Sequence, residues 1–207
     1  MYLEYSERKL NKQMRELSDQ KLLKKCKALY ASILELKKLC VGDNYCANLI
    51  DWFIEVVNKN IAINKSIANG RNQEKYKKQR QHVYWINFGR GIGTEFQDYH
   101  YALVIYEAEY TALVVPLTSK KEHDPKWIES NKNAIVDLGI VGGYPDNSKE
   151  CYACTFMLQS VSKKRLDRCG NKQDGYFDLR VSDEQMERVC TKIQEITYNN
   201  VKYIDKC

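Results

Sequence analysis

Proline is nearly absent from this sequence: three residues in 207, too few for a disordered linker protein. Long apolar runs are missing too. The most hydrophobic helical stretch, residues 46–63, is broken by Asp51, Glu55 and Lys59, so no segment reaches membrane-spanning length. The opening MYLEYSERKLNKQ has neither the apolar core nor the small-residue cleavage pattern of a signal peptide, and a cytoplasmic protein is the expectation. The eight cysteines lack the dense spacing of a disulfide scaffold and read as free thiols. Cys151 and Cys154 are the one close pair. On a strand they point to opposite faces, which suits neither zinc nor a redox turn. No metal and no cofactor is expected.

What is present is an ordinary globular composition, 43% apolar, in a chain long enough for one domain and an appendage. The net charge of +6 is unevenly placed. Residues 1–81 carry 17 Lys/Arg against 9 Asp/Glu, a balance of +8, whereas residues 82–207 carry 16 against 18, a balance of −2. A basic arm on a near-neutral domain points to a polyanionic or acidic partner, or to lysines that only solvate helix faces.

Periodicity divides the chain in the same place. Leu22, Cys26, Leu29, Ile33, Leu36 and Cys40 alternate spacings of four and three, a helical seam suited to packing on another helix. Leu10, Met14 and Leu17 share the rhythm upstream, and Ser18-Asp19 shifts its phase, marking a kink or a fresh N-cap. Gly42 stops the seam helix, and Asp43 or Asn44 caps the next, which runs to about Asn69 with Ile50, Phe53, Val57, Ile61 and Asn64 roughly on one face. The pair reads as a helical hairpin over residues 1–70 that packs on itself, on the following domain or on a second copy. Residues 71–81, with five basic side chains among 71–80 and no apolar rhythm, read as a linker.

From Val83 the period changes to two. Strands are predicted at 83–88, 101–106 and 110–117, with weaker ones at 133–138 and 151–157. Short strands with glycine turns suggest a small, highly curved barrel. A helix over 182–196, capped by Ser182-Asp183, has Met186, Val189, Ile193 and Ile196 as its buried stripe. The fold class is therefore α+β, with residues 82–207 forming the barrel domain.

Three places carry candidate chemistry. The loop FGRGIGTEF, residues 88–96, holds three glycines in five positions but lacks the lysine and spacing of a nucleotide-phosphate loop. His100, flanked by tyrosines, is able to shuttle protons near neutral pH. Thr118-Ser119 ends a strongly apolar strand, where hydroxyls and free backbone N–H groups suit a phosphate oxygen. His82 and the loop pair His123-Asp124 read as structural.

The order and spacing of Phe88-Gly89, Gly93-Thr94-Glu95, Ala102-Leu103-Val104-Ile105 and Pro116-Leu117-Thr118-Ser119 resemble the opening of the MazF/PemK ribonuclease toxins of bacterial toxin–antitoxin pairs. Downstream, residues 157–166 are similar to the family's Gln-Ile-Arg-Thr-Val-x-x-x-Arg-Leu segment, with Gln159 in the glutamine position. The resemblance covers about residues 82–197 and implies an SH3-like β-barrel with a C-terminal helix. It departs where the family has Arg-Pro, since this chain has His100-Tyr101. Ser160 or Val161 also stands where an arginine is common, and the run Lys163, Lys164, Arg165 either compensates or forms a solvated turn.

That family cleaves single-stranded RNA without metal, through attack of the 2′-OH, and is neutralised by a small antitoxin protein. The resemblance implies a homodimeric endoribonuclease. His100, Thr118 and Glu95 then form the catalytic group, and Arg90, Thr94, Ser119, Lys120 and Gln159 contact RNA, with Lys121 a further source of charge. The Arg90 contact is inferred from its place in the loop alone. His100 either replaces the arginine as acid–base or marks a site that binds RNA and no longer cuts. The rival reading is a non-catalytic RNA- or protein-binding module on the same barrel, as in toxins that bind DNA gyrase.

Overall fold

The structure, a computed structural model, describes residues 19–39, 44–69, 78–93, 95–143 and 150–204. Two helices come first, α1 (Asp19–Leu39) and α2 (Asn44–Ala68). Their turn around Gly42, the segment with Leu10, Met14 and Leu17, and residues 71–77 of the expected linker lie outside the described residues. Near the turn Cys46 is buried, its thiol 4.0 Å from the Ile33 carbonyl. The stripe predicted for α2 faces the other way from its sheltered side. Ile50, Phe53, Val57 and Ile61 are exposed, while Tyr45, Leu49, Trp52, Val56 and Ile63 are half-buried. Apolar residues lie on both sides of α2, so periodicity alone does not say which face is sheltered.

The β region follows as β1 (His82–Asn87), β2 (Tyr99–Glu107), β3 (Thr111–Ser119), the short helix α3 (Lys126–Ser130), β4 (Ile135–Ile140), β5 (Glu150–Cys154) and β6 (Gln159–Ser162). Then come β7 (Cys169–Asn171), β8 (Gly175–Phe177), β9 (Leu179–Arg180) and the C-terminal helix α4 (Asp183–Ile204). Seven strands form one antiparallel sheet in the order β4-β5-β3-β2-β1-β9, with β6 also on β3. β3 pairs β6 along its first half and β5 along its last three residues. One long strand shared by two neighbours curls the sheet into the expected small barrel. Lys78 to Gln81 already belong to it: the Gln81 N–H donates to Val104 O, and Gln81 O accepts from the Val181 N–H.

Alternation along β1 to β3 sends apolar side chains into two cores, one on each face of the sheet. Val83, Leu103, Val115 and Leu117 join Met186 and Val189 of α4 on the first face. Ile86, Ala102, Val104, Ala112 and Val114 join Phe88, Val161 and Leu166 on the second. The capping box expected at α4 is formed: Ser182 Oγ accepts from the Gln185 N–H at 3.1 Å, and Gln185 Oε1 accepts from the Ser182 N–H at 2.8 Å. Gln185 Nε2 then donates to Leu138 O and Ile140 O, pinning the helix start to β4.

Candidate functional site

Strand register brings the main candidates together. Tyr101 pairs with Leu117 and Ala102 with Pro116, so one further step of the same antiparallel register sets His100 opposite Thr118. Both residues have the parity of the second core, at whose rim they lie. The row continues across the sheet, since Ile86 pairs with His100, Thr118 with Tyr152 and Tyr152 with Asp137. Gln159, opposite Val114, shares this face but stands four residues along β3 from Thr118, about 13 Å at strand rise. Ser119 has the opposite parity and is exposed at the strand end.

His100 is half-buried, its ring 4.3 Å from that of Phe96. Burial is the largest influence on its pKa and lowers it below the usual histidine value. The Asp98 charge and backbone hydrogen bonds with Leu117 and Gln97 pull the other way without overcoming it. The ring is therefore neutral at pH 7, the form that accepts a proton.

The glycine loop is tied internally. Its base is closed by the Phe88 N–H on Asp98 O (2.8 Å) and the Asp98 N–H on Gly89 O (2.9 Å). Gly89 and Gly93 take positive φ angles of 90° and 63°, which a side chain would oppose. Glu95 folds back so that its Oε2 accepts from the Ile92 N–H at 3.0 Å, and any side chain at Gly91 would collide with that carboxylate. Thr94 lies outside the described residues.

Arg90 and Lys120, the two cations expected to meet RNA, both have carboxylate partners. Arg90 Nη2 is 2.8 Å from Asp98 Oδ1, and its Nη1 donates to Gln97 Oε1 at 3.4 Å. Lys120 Nζ sits 2.9 Å from Asp137 and 2.9 Å from Glu150, contacts that raise its pKa, Asp137 most of all. The downstream basic run is split. Lys163 is buried against Glu107 at 3.2 Å, and Arg165 Nη2 donates to Asn87 O at 2.7 Å, at the root of the glycine loop.

Tyr152 is the neighbour that sequence reasoning missed. It stands beside Thr118 in the cross-strand row, its hydroxyl donating to Asp124 Oδ2 at 2.6 Å, with the Lys120 ammonium 5.7 Å from its ring centre. The Asp124 hydrogen bond pushes the phenol up to about 12, so it stays protonated. Its only sequence signal was the Tyr between two strand cysteines. Those cysteines are inert as nucleophiles, because burial pushes both Cys151 and Cys154 up to about 12. His82 lies 3.4 Å from Asp178, and Asp124 also accepts from the Lys121 N–H.

The family match falls on this region. No curated protein matches the chain. Among solved structures, the crystal structure of MazF (Form-I) from Deinococcus radiodurans is similar over 59% of this chain and 97% of that one, at 18% identity and a TM-score of 0.40. The family profile described as PemK-like, MazF-like toxin of type II toxin–antitoxin system matches residues 79–197, which include the whole row from Ile86 to Tyr152. With more than half of its length matched, the chain belongs to the PemK/MazF-like toxin family.

Proposed function

We propose that the protein is the toxin of a toxin–antitoxin pair and cuts single-stranded RNA without metal, with His100 as its acid–base. The observation that carries this reading is the placement of a neutral histidine across one strand gap from Thr118. In the reaction, His100 takes the 2′-OH proton as that oxygen attacks phosphorus. The bond to the 5′-oxygen breaks, and the same ring returns the proton to it. A 2′,3′-cyclic phosphate and a 5′-hydroxyl result. Thr118 donates its hydroxyl to a phosphate oxygen, and the Glu95-folded loop closes over the strand.

Family membership supports an antitoxin partner and assembly as a homodimer. In this reading Arg90, from its place in the loop alone, joins Thr94, Ser119, Lys120 and Gln159 along the RNA path. Incubation of the protein with mixed-sequence RNA in EDTA tests the reading. Fragments with 5′-hydroxyl ends are expected, and intact RNA under all conditions would remove it.

One observation favours a second reading. Arg90 and Lys120 are each matched by carboxylates, so the charge available for a developing phosphorane is reduced. A groove of that kind binds RNA or a protein without turnover. Salt-sensitive RNA affinity with no cleavage is its signature.

A further inference from the structure

Of the described residues other than glycine, only Gln81 and Asp98 have a left-handed backbone, and Asp98 (φ 67°) closes the glycine loop. That conformation opposes a side chain unless its surroundings hold it there, although aspartate tolerates it better than most residues. Both backbone groups of Asp98 are used. Its N–H donates to Gly89 O, and its carbonyl accepts from the Phe88 N–H. The carboxylate is held separately, with Oδ1 2.8 Å from Arg90 Nη2. Arg90 Nη1 also donates to Gln97 Oε1 at 3.4 Å, so one guanidinium fixes two consecutive side chains.

Residues 96–98 wrap His100. The imidazole lies 4.3 Å from the Phe96 ring and is hydrogen-bonded to the Gln97 and Leu117 backbone, while Asp98 acts on it by charge. The other charged groups around the ring are engaged elsewhere. Glu95 accepts from the Ile92 N–H, Arg165 donates to Asn87 O at the end of β1, and Lys120 bridges Asp137 and Glu150 beyond Thr118. Burial works against a charged imidazole, and Asp98 is the one full charge that opposes it. Such a carboxylate matters most at the moment the ring carries a proton.

We propose that Asp98, held by Arg90, is a positioning residue of the ribonuclease site: its carboxylate stabilises the His100 imidazolium formed when the ring takes the 2′-OH proton. This rests on the acid–base role proposed for His100. The proton moves from the 2′-oxygen to the ring and on to the 5′-oxygen, and Asp98 itself makes and breaks no bond. An anion this close to a phosphate held at His100 and Thr118 also opposes RNA binding, so its removal separates affinity from turnover.

The test uses the full chain with Asp98→Asn and Asp98→Gly, two residues that accept the left-handed backbone and lack the charge. The ring protons of the three histidines are titrated by NMR, His100 being identified by its loss in His100→Gln. RNA cleavage in EDTA is followed in parallel over about pH 5–8. Both variants should move the His100 titration and the acid limb of kcat/KM to lower pH, and the difference from wild type should shrink in high salt. Turnover should fall roughly tenfold while RNA binds severalfold tighter, a modest loss because the Asp98 side chain is 55% exposed. A His100 titration that stays in place or moves to higher pH would overturn the proposal. So would turnover and affinity that both fall, which would make Asp98 a loop residue only. RNA left intact by the wild-type protein would instead remove the ribonuclease reading, and this proposal with it, whatever the titration shows.

Discussion

The barrel and the arm treat the same kind of residue in opposite ways. In the barrel, Val83, Ile86, Leu103 and Val114 vanish into cores on both faces of one sheet. Along α1 and α2, Leu22, Tyr30, Phe53 and Val57 stay at the surface. Hydrophobic pattern alone does not separate the two cases. Burial does: among the described residues, the β region's apolar side chains complete cores on both faces of its sheet, whereas those named along the two helices are exposed.

The largest expected effect that breaks or sharpens this contrast is catalytic. His100→Ala should lower RNA cleavage by roughly 10²–10⁴-fold, the usual worth of a positioned acid–base group, with an unchanged circular dichroism spectrum. Loss of folding together with loss of activity would make His100 a barrel residue instead. Next comes stability. Leu103→Ala, at a fully buried position, should cost about 2–5 kcal/mol in urea unfolding, whereas Leu29→Ala should change it by no more than about 0.5 kcal/mol. Equal costs would show that α1 is covered after all.

A smaller effect is expected from pH. Burial lowers the His100 pKa in the folded state, so between about pH 6.5 and that lower value the unfolded chain binds more protons. Stability contributed through His100 is therefore whole above about pH 6.5 and declines as pH falls through the folded value. His100→Gln should flatten that decline in acid titrations of melting temperature. An identical decline in both proteins would assign the acid sensitivity to other groups. The smallest effect should come from Tyr152→Phe, which removes the exposed hydroxyl held by Asp124 and is expected to lower the melting temperature only slightly, with little change in RNA affinity.

Much of the fold was legible in the residues. Alternation in β1 to β3 and the Ser182 cap of α4 are local patterns, and both formed as read, the cap with Gln185 as its reciprocal partner. Strands β7 to β9, two or three residues each, are too short to show a period. The candidate residues could be named from the sequence, but their placement relative to one another could not. The facing of His100 and Thr118 depends on the β2–β3 register, and that register shifts between Val104 and Tyr106 without a sequence mark. Tyr152 reaches Thr118 only because β5 lies next to β3 in the sheet. The carboxylates that hold Arg90 and Lys120 come from the loop end and from β4 and β5, so nothing in the sequence showed that either cation is already paired.

The pairing of His100 with Thr118 as one working site is the centre of the account, and a double-mutant cycle on single-turnover RNA cleavage tests it most directly. The variants are His100→Ala, Thr118→Val and the pair together, assayed in EDTA with product ends mapped. Thr118→Val alone should slow cleavage about tenfold, and adding it to His100→Ala should cost little more, because groups that act as a unit are not additive. Fully additive losses, or cleavage by His100→Ala at the wild-type rate, would contradict the account.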